Sequence, residues 1–175
     1  MKRIGFGQVE PNHLSAKRNG QIYAQLPANK DLKLLENGMF VKYDYENNEV
    51  NLTGDGEWMM VYNEVKLYDD DFRYHTAGSG VYAGYAMQAK DFMNGEIVPR
   101  LFKTSVGDIY TTNCLVKAGT FKEETDMGEI TLGAELSPNA AGYLATNGDG
   151  SIVFKVVKVY TMPDGQEGVK LQRIR

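Results

Sequence analysis

Gly38–Thr53, GMFVKYDYENNEVNLT, constrains the fold more than any other stretch of the chain. Phe40, Lys42 and Asp44 fall on one side of an extended strand, and Met39, Val41, Tyr43 and Tyr45 on the other, which is a period of two and not of 3.6. Glu46-Asn47-Asn48-Glu49 follows, and Asn tolerates positive φ and bonds its own backbone, as a reversing loop requires. Val50 and Leu52 resume the alternation. The stretch therefore reads as strand, tight polar turn and strand.

Other segments repeat the grammar of short strands and turns. Gln21–Leu26 alternates Ile22, Ala24 and Leu26 against polar or aromatic neighbours. Glu57–Tyr68 carries Trp58, Met60 and Tyr62 on one face and Val65 and Leu67 on another, which calls for a bulge near Asn63-Glu64. Ile97–Lys103 contains Pro99, which argues for an edge strand or a bulge. Gly107–Leu115, Thr120–Glu124, Glu129–Leu132, Gly142–Ala145 and Val169–Ile174 read as further strands. Ser151–Thr161, SIVFKVVKVYT, is the best single strand and follows a strong turn at Asn147-Gly148-Asp149-Gly150. Leu32–Glu36 before Gly38 suits one helical turn with a glycine stop, and Ser137–Ala141 suits a helical turn or a loop. No long amphipathic helix is present.

The expected fold class is all-β: an antiparallel sandwich or barrel, as one body or as two small β units, with an extended N-terminal arm. The 175 residues are enough to bury a real core. The expected division is an arm over 1–20, a first β unit over 21–68, a Tyr/Gly-rich connector over 69–96 and a second β unit over 97–175. A weak internal repeat motivates the two units: Gly38–Gly54 compares with Gly119–Gly133, and Glu64–Tyr68 with Val156–Tyr160. The arm is either a frayed terminus or a segment that orders against a partner.

A hydrophobic content of 42% with eleven Tyr and seven Phe excludes a disordered chain. The net charge of −4 comes from mixed acidic and basic residues. No basic stripe points to nucleic acid. The first twenty residues have no apolar run of the kind a signal peptide needs, and no stretch has the apolar length of a membrane helix. A single cysteine, Cys114, forbids an internal disulfide and fits folding in a reducing cytosol.

Chemistry-bearing patterns are scarce. His13 and His75 stand in no metal-ligand spacing. Asp69-Asp70-Asp71 lacks the spaced oxygens and glycine pivot of a calcium loop and reads as a solvated loop. Cys114 sits in strand text, where a buried inert thiol is the better reading. No nucleophile elbow, phosphate loop or zinc motif occurs. The expectation is no catalytic residue, no cofactor and no metal.

Three stretches carry a family resemblance: GQVEPNHLSAKRNGQIYAQLP (Gly7–Pro27), LLENGMFVKYDYENNEV (Leu34–Val50) and VPRLFKTSVGDIYTTN (Val98–Asn113). They resemble virion structural proteins of tailed bacteriophages of Gram-positive hosts, of the capsid auxiliary or decoration type. The resemblance implies a β-rich protein, made in the host cytoplasm and carried on the virion, that docks on a capsid lattice. Its partners would be the major capsid protein or other virion proteins, with self-association left open and neither nucleic acid nor membrane involved. The candidate contact residues are Phe6, His13 and Leu14 in the arm, and Tyr74, Tyr82 and Tyr85 in the Tyr/Gly stretch, because Tyr gives large contact area for little rotamer entropy. The alternative is a carbohydrate-binding β-sandwich that uses Trp58 and Tyr residues for stacking. Trp58, beside Met59 and Met60, is better placed as core.

Overall fold

The structure is a computed structural model that describes residues 2–4, 9–10, 22–32, 34–62, 86–88, 98–116, 124–162 and 166–175. In chain order its strands are β1 Lys2–Ile4, β2 Val9–Glu10, β3 Ile22–Tyr23, β4 Leu34–Glu36, β5 Phe40–Asp44, β6 Glu49–Asn51, β7 Met59–Val61 and β8 Ala86–Gln88. They continue as β9 Leu101–Phe102, β10 Ile109–Thr112, β11 Glu124–Asp126, β12 Glu135–Pro138, β13 Leu144–Ala145, β14 Phe154–Thr161 and β15 Glu167–Arg173. The described residues contain no helix. The fold is an all-β antiparallel sandwich.

The opening hairpin forms as its alternation predicts. β5 and β6 pair with Lys42 opposite Asn51 and Asp44 opposite Glu49, and Asn48 takes the positive φ, 54°, that the reversal needs. Asp44 closes the turn by accepting from the backbone N–H and side-chain amide of Asn47 and from the Asn51 amide.

Two sheets lie over a shared core. The larger has the order β13-β12-β14-β15-β10-β2 and the other β3-β9-β7-β5-β6. Phe40, Met60 and Phe102 of the five-stranded sheet meet Tyr110, Leu136, Phe154, Val156 and Leu171 of the six-stranded one. Phe154 stands at the centre, 5.4 Å from the Phe40 ring and 5.6 Å from the Tyr110 ring, in tilted and edge-on geometries that aromatic quadrupoles favour.

The opposite face of the five-stranded sheet is buried as well. Val41, Tyr43, Met59, Val61 and Leu101 pack there against Ala28, Leu35, Cys114, Val116 and Tyr143. Strands β5 and β7 therefore send alternate side chains into two separate cores, which explains why Phe40 and Val41, adjacent in sequence, are both fully buried. A polar bond sits at the edge of the second core: the Tyr143 hydroxyl donates to the buried Glu36 carboxylate at 2.5 Å. Gly142 stands between the layers with φ +81°, its carbonyl accepting from the Phe40 N–H, and a Cβ there would collide with the Phe40 carbonyl oxygen.

Several expectations are corrected. Leu34–Glu36 is a strand paired with Ala86–Gln88 and not a helical turn, because the ladder satisfies its backbone at long range. Of Ser137–Ala141, which suited a helical turn or a loop, Ser137 and Pro138 end the strand Glu135–Pro138, paired with β13 and β14, and residues 139–141 form the expected loop. Glu129–Leu132 forms no strand, and Glu124–Asp126 pairs with Lys2–Ile4. The second copy of the hairpin is thus not formed by the described residues of 119–133.

The strands also do not sort into units 21–68 and 97–175. β9, from beyond the connector, lies between β3 and β7, so one sheet draws on both sides of that boundary. Pro99 precedes this interior strand and does not mark an edge. Within the expected arm, residues 2–4 and 9–10 are strands, the latter closing the six-stranded sheet against Thr111 and Thr112. The bend expected near Asn63-Glu64 lies outside the described residues.

Candidate binding surfaces

Phe6, His13, Leu14, Tyr74, Tyr82 and Tyr85 all lie outside the described residues. Trp58 is described and is only 4% exposed. Its indole N–H donates to Asp149 Oδ2 at 2.6 Å, and the Lys42 ammonium stands 4.6 Å from the ring centroid. The ring belongs to the core and the Lys42 ammonium stands over its face, so Trp58 offers no open stacking face. Cys114 is fully buried, in keeping with an inert thiol. Among the described residues, no three His, Cys, Asp or Glu side chains gather as a metal site, and no helix is long and apolar enough to cross a membrane.

Two surface features emerge that the sequence did not single out. The first is the outer edge of β14. β15 pairs with β14 along its whole length, but β12 covers only Phe154 and Lys155 on the other side, and Val156 adds backbone bonds to Gly133 and Ala134. A bulge between Val156 and Lys158 then shifts the register. The Met162 N–H to Gln166 carbonyl bond fixes the phase beyond it. Hydrogen-bonded pairs alternate along an antiparallel ladder, so Lys158 and Tyr160 turn their backbone groups to β15 and Val159 and Thr161 turn theirs outward. No described strand takes them up.

Apolar side chains collect along this open edge. Leu132 is 71% exposed, Val157 37% and Val159 40%, and Leu132 adjoins Gly133, whose N–H bonds the Val156 carbonyl. Lys155 and Lys158 are exposed beside them and form no ion pair among the described residues. Lysines at an edge discourage pairing with a like-charged strand and leave an acidic one favoured.

The second feature is a cleft of about 200 Å³ where the two sheets meet, lined by Lys42, Gly56, Glu57, Trp58, Ser151, Ile152 and Arg173. Glu57 is shared by Lys103 at 2.8 Å and Arg173 at 3.2 Å. Burial pushes the Glu57 carboxyl up, but the hydrogen bonds and charges of Lys103 and Arg173 outweigh it and hold the group below its ordinary value. Asp149 is held low in the same way: burial raises it, and donors from Trp58, Ser151 and Ser137 more than compensate. Arg173 is fixed by the Thr104 carbonyl and hydroxyl, by Glu57 and by the Arg175 carbonyl.

No protein-family model, no curated protein and no solved structure matches the chain. Function is therefore argued from these surfaces and from the sequence resemblance.

Proposed function

We propose that this chain is a non-enzymatic structural protein of a phage virion, which docks on the capsid lattice through protein–protein contacts. The observation that supports this reading is the open edge of β14. It offers outward backbone groups at Val159 and Thr161, an apolar strip of Leu132, Val157 and Val159, and two lysines that form no ion pair among the described residues. An extended segment added there gains main-chain hydrogen bonds, while its alternate side chains meet the strip. The occupant is an extended, acidic segment of the major capsid protein, since such a strand pairs with the ladder and brings carboxylates beside Lys158. Docking of this kind places the protein on the virion after synthesis in the host cytoplasm.

The test is to co-express the chain with major capsid proteins of tailed phages of Gram-positive hosts and to image the assembled particles. The reading expects extra density at regular lattice positions, with the chain recovered in purified particles. Particles that stay bare at saturating amounts of the chain would overturn it.

A further inference from the structure

We infer that the cleft between Lys42, Trp58 and Arg173 is a binding site for a carboxylate carried on a short aliphatic stem. The site is separate from the β14 edge and does not depend on lattice docking. Its walls come from four distant parts of the chain: β5, the approach to β7, the approach to β14 and the end of β15.

Charge is unbalanced there. Among the lining residues Lys42 and Arg173 are cations and Glu57 is the carboxylate, with Lys103 bonded to Glu57 from outside the lining. Glu57 is already divided between Lys103 and Arg173. Asp149 is occupied by the Trp58 indole, by the Ser151 backbone and hydroxyl, and by the Ser137 hydroxyl. Lys42 meets no carboxylate among the described residues; its one described partner is the Trp58 ring.

Unused donors remain as well. An ammonium carries three N–H groups, and a guanidinium five. Arg173 spends Nε on the Arg175 carbonyl and Nη1 on Thr104 and Glu57, while Nη2 makes a single described bond, to Glu57. One Nη2 N–H is left. A carboxylate in the cleft takes charge-assisted bonds from Lys42 and from this N–H, and such bonds are about twice as strong as neutral ones.

The apolar part of the lining sets the rest of the ligand. Trp58 and Ile152 present hydrocarbon beside the cations, so a short methylene stem is accommodated where inorganic phosphate has nothing to cover that wall. A cleft of about 200 Å³ has room for a short-chain acid such as glutarate or for a glutamate side chain. A free short-chain acid and an acidic side chain of a partner share this chemistry.

Trp58 is the only tryptophan in the chain, so its emission reports on the cleft alone. The full chain is titrated with sodium glutarate at constant ionic strength, with parallel titrations of glutaramide, inorganic phosphate and a triglutamate peptide blocked at both ends, and with calorimetry as a second readout. The inference expects a saturable response to glutarate, none to glutaramide, and weaker binding of phosphate. Lys42→Met, which keeps the stem over the indole, should weaken glutarate by about tenfold, the loss of one charge-assisted bond, and Lys42→Arg should restore it. Peptide binding tighter than glutarate identifies a protein side chain as the source, and glutarate binding without peptide binding identifies a free acid. Absence of saturable binding in both readouts, an equal response to chloride, or undiminished binding by a folded Lys42→Met protein would overturn the inference.

Discussion

The Trp58 indole donates to Asp149 across 91 residues of sequence, at 2.6 Å, and so ties the approach to β7 in one sheet to the turn that precedes β14 in the other. The same carboxylate accepts from Ser137 and Ser151 and organises the 147–150 turn. Asp149→Ala removes these acceptors together and leaves the indole N–H without its partner. The expected cost is about 1–3 kcal/mol of stability. Asp149→Asn, which keeps one carbonyl oxygen, should cost less. Urea unfolding followed by Trp58 emission measures both, and a wild-type midpoint for Asp149→Ala would remove the bond from the account.

The acid response has a definite sign. Glu57 and Asp149 have folded-state values below their ordinary 4.5 and 3.8, so both groups bind protons more readily in the unfolded chain. Their contribution is complete above those ordinary values and is lost as pH falls through the lower folded values. Melting temperature is expected to fall in that acid window, and Glu57→Gln should flatten the fall. An equally steep decline in Glu57→Gln would assign the acid response to other groups.

Tyr110 presents the opposite case. It is fully buried, and its hydroxyl reaches no hydrogen-bond partner among the described residues; burial pushes its pKa well above the ordinary value. Removing an unsatisfied buried hydroxyl while keeping the ring should leave the fold as stable or more stable, by up to about 1–2 kcal/mol. Tyr110→Phe tests this by thermal melting. A loss of more than about 1 kcal/mol would mean that the hydroxyl has a partner, since such a loss is typical of a broken hydrogen bond.

The hairpin was legible because both of its signals are local: alternation over Phe40–Asp44 and an Asn-rich turn in which Asn48 takes positive φ. The strand in Ser151–Thr161 was legible for the same reason. What could not be read depends on distant partners. Leu34–Glu36 looks like a helical turn until its ladder with Ala86–Gln88 is known, and no local signal places Leu101–Phe102 between β3 and β7. The β14 edge was hidden by its bulge. The text FKVVKVYT alternates Phe154, Lys155 and Val156 correctly, but the extra residue at Val157 breaks the phase and leaves Val157, Lys158 and Val159 all exposed. The cleft was hidden because Lys42, Trp58, Ile152 and Arg173 have no sequence proximity.

The most direct test of docking through the β14 edge is Val159→Pro, measured by co-sedimentation with assembled capsid particles. Proline at this position removes an outward N–H that no described strand uses, and a proline on an edge facing solvent is tolerated. Edge docking predicts a protein with an unchanged fold by circular dichroism and stability within about 1 kcal/mol of wild type, a change typical of surface sites, that no longer sediments with particles. Undiminished sedimentation of the folded Val159→Pro protein, where wild type binds, would contradict it.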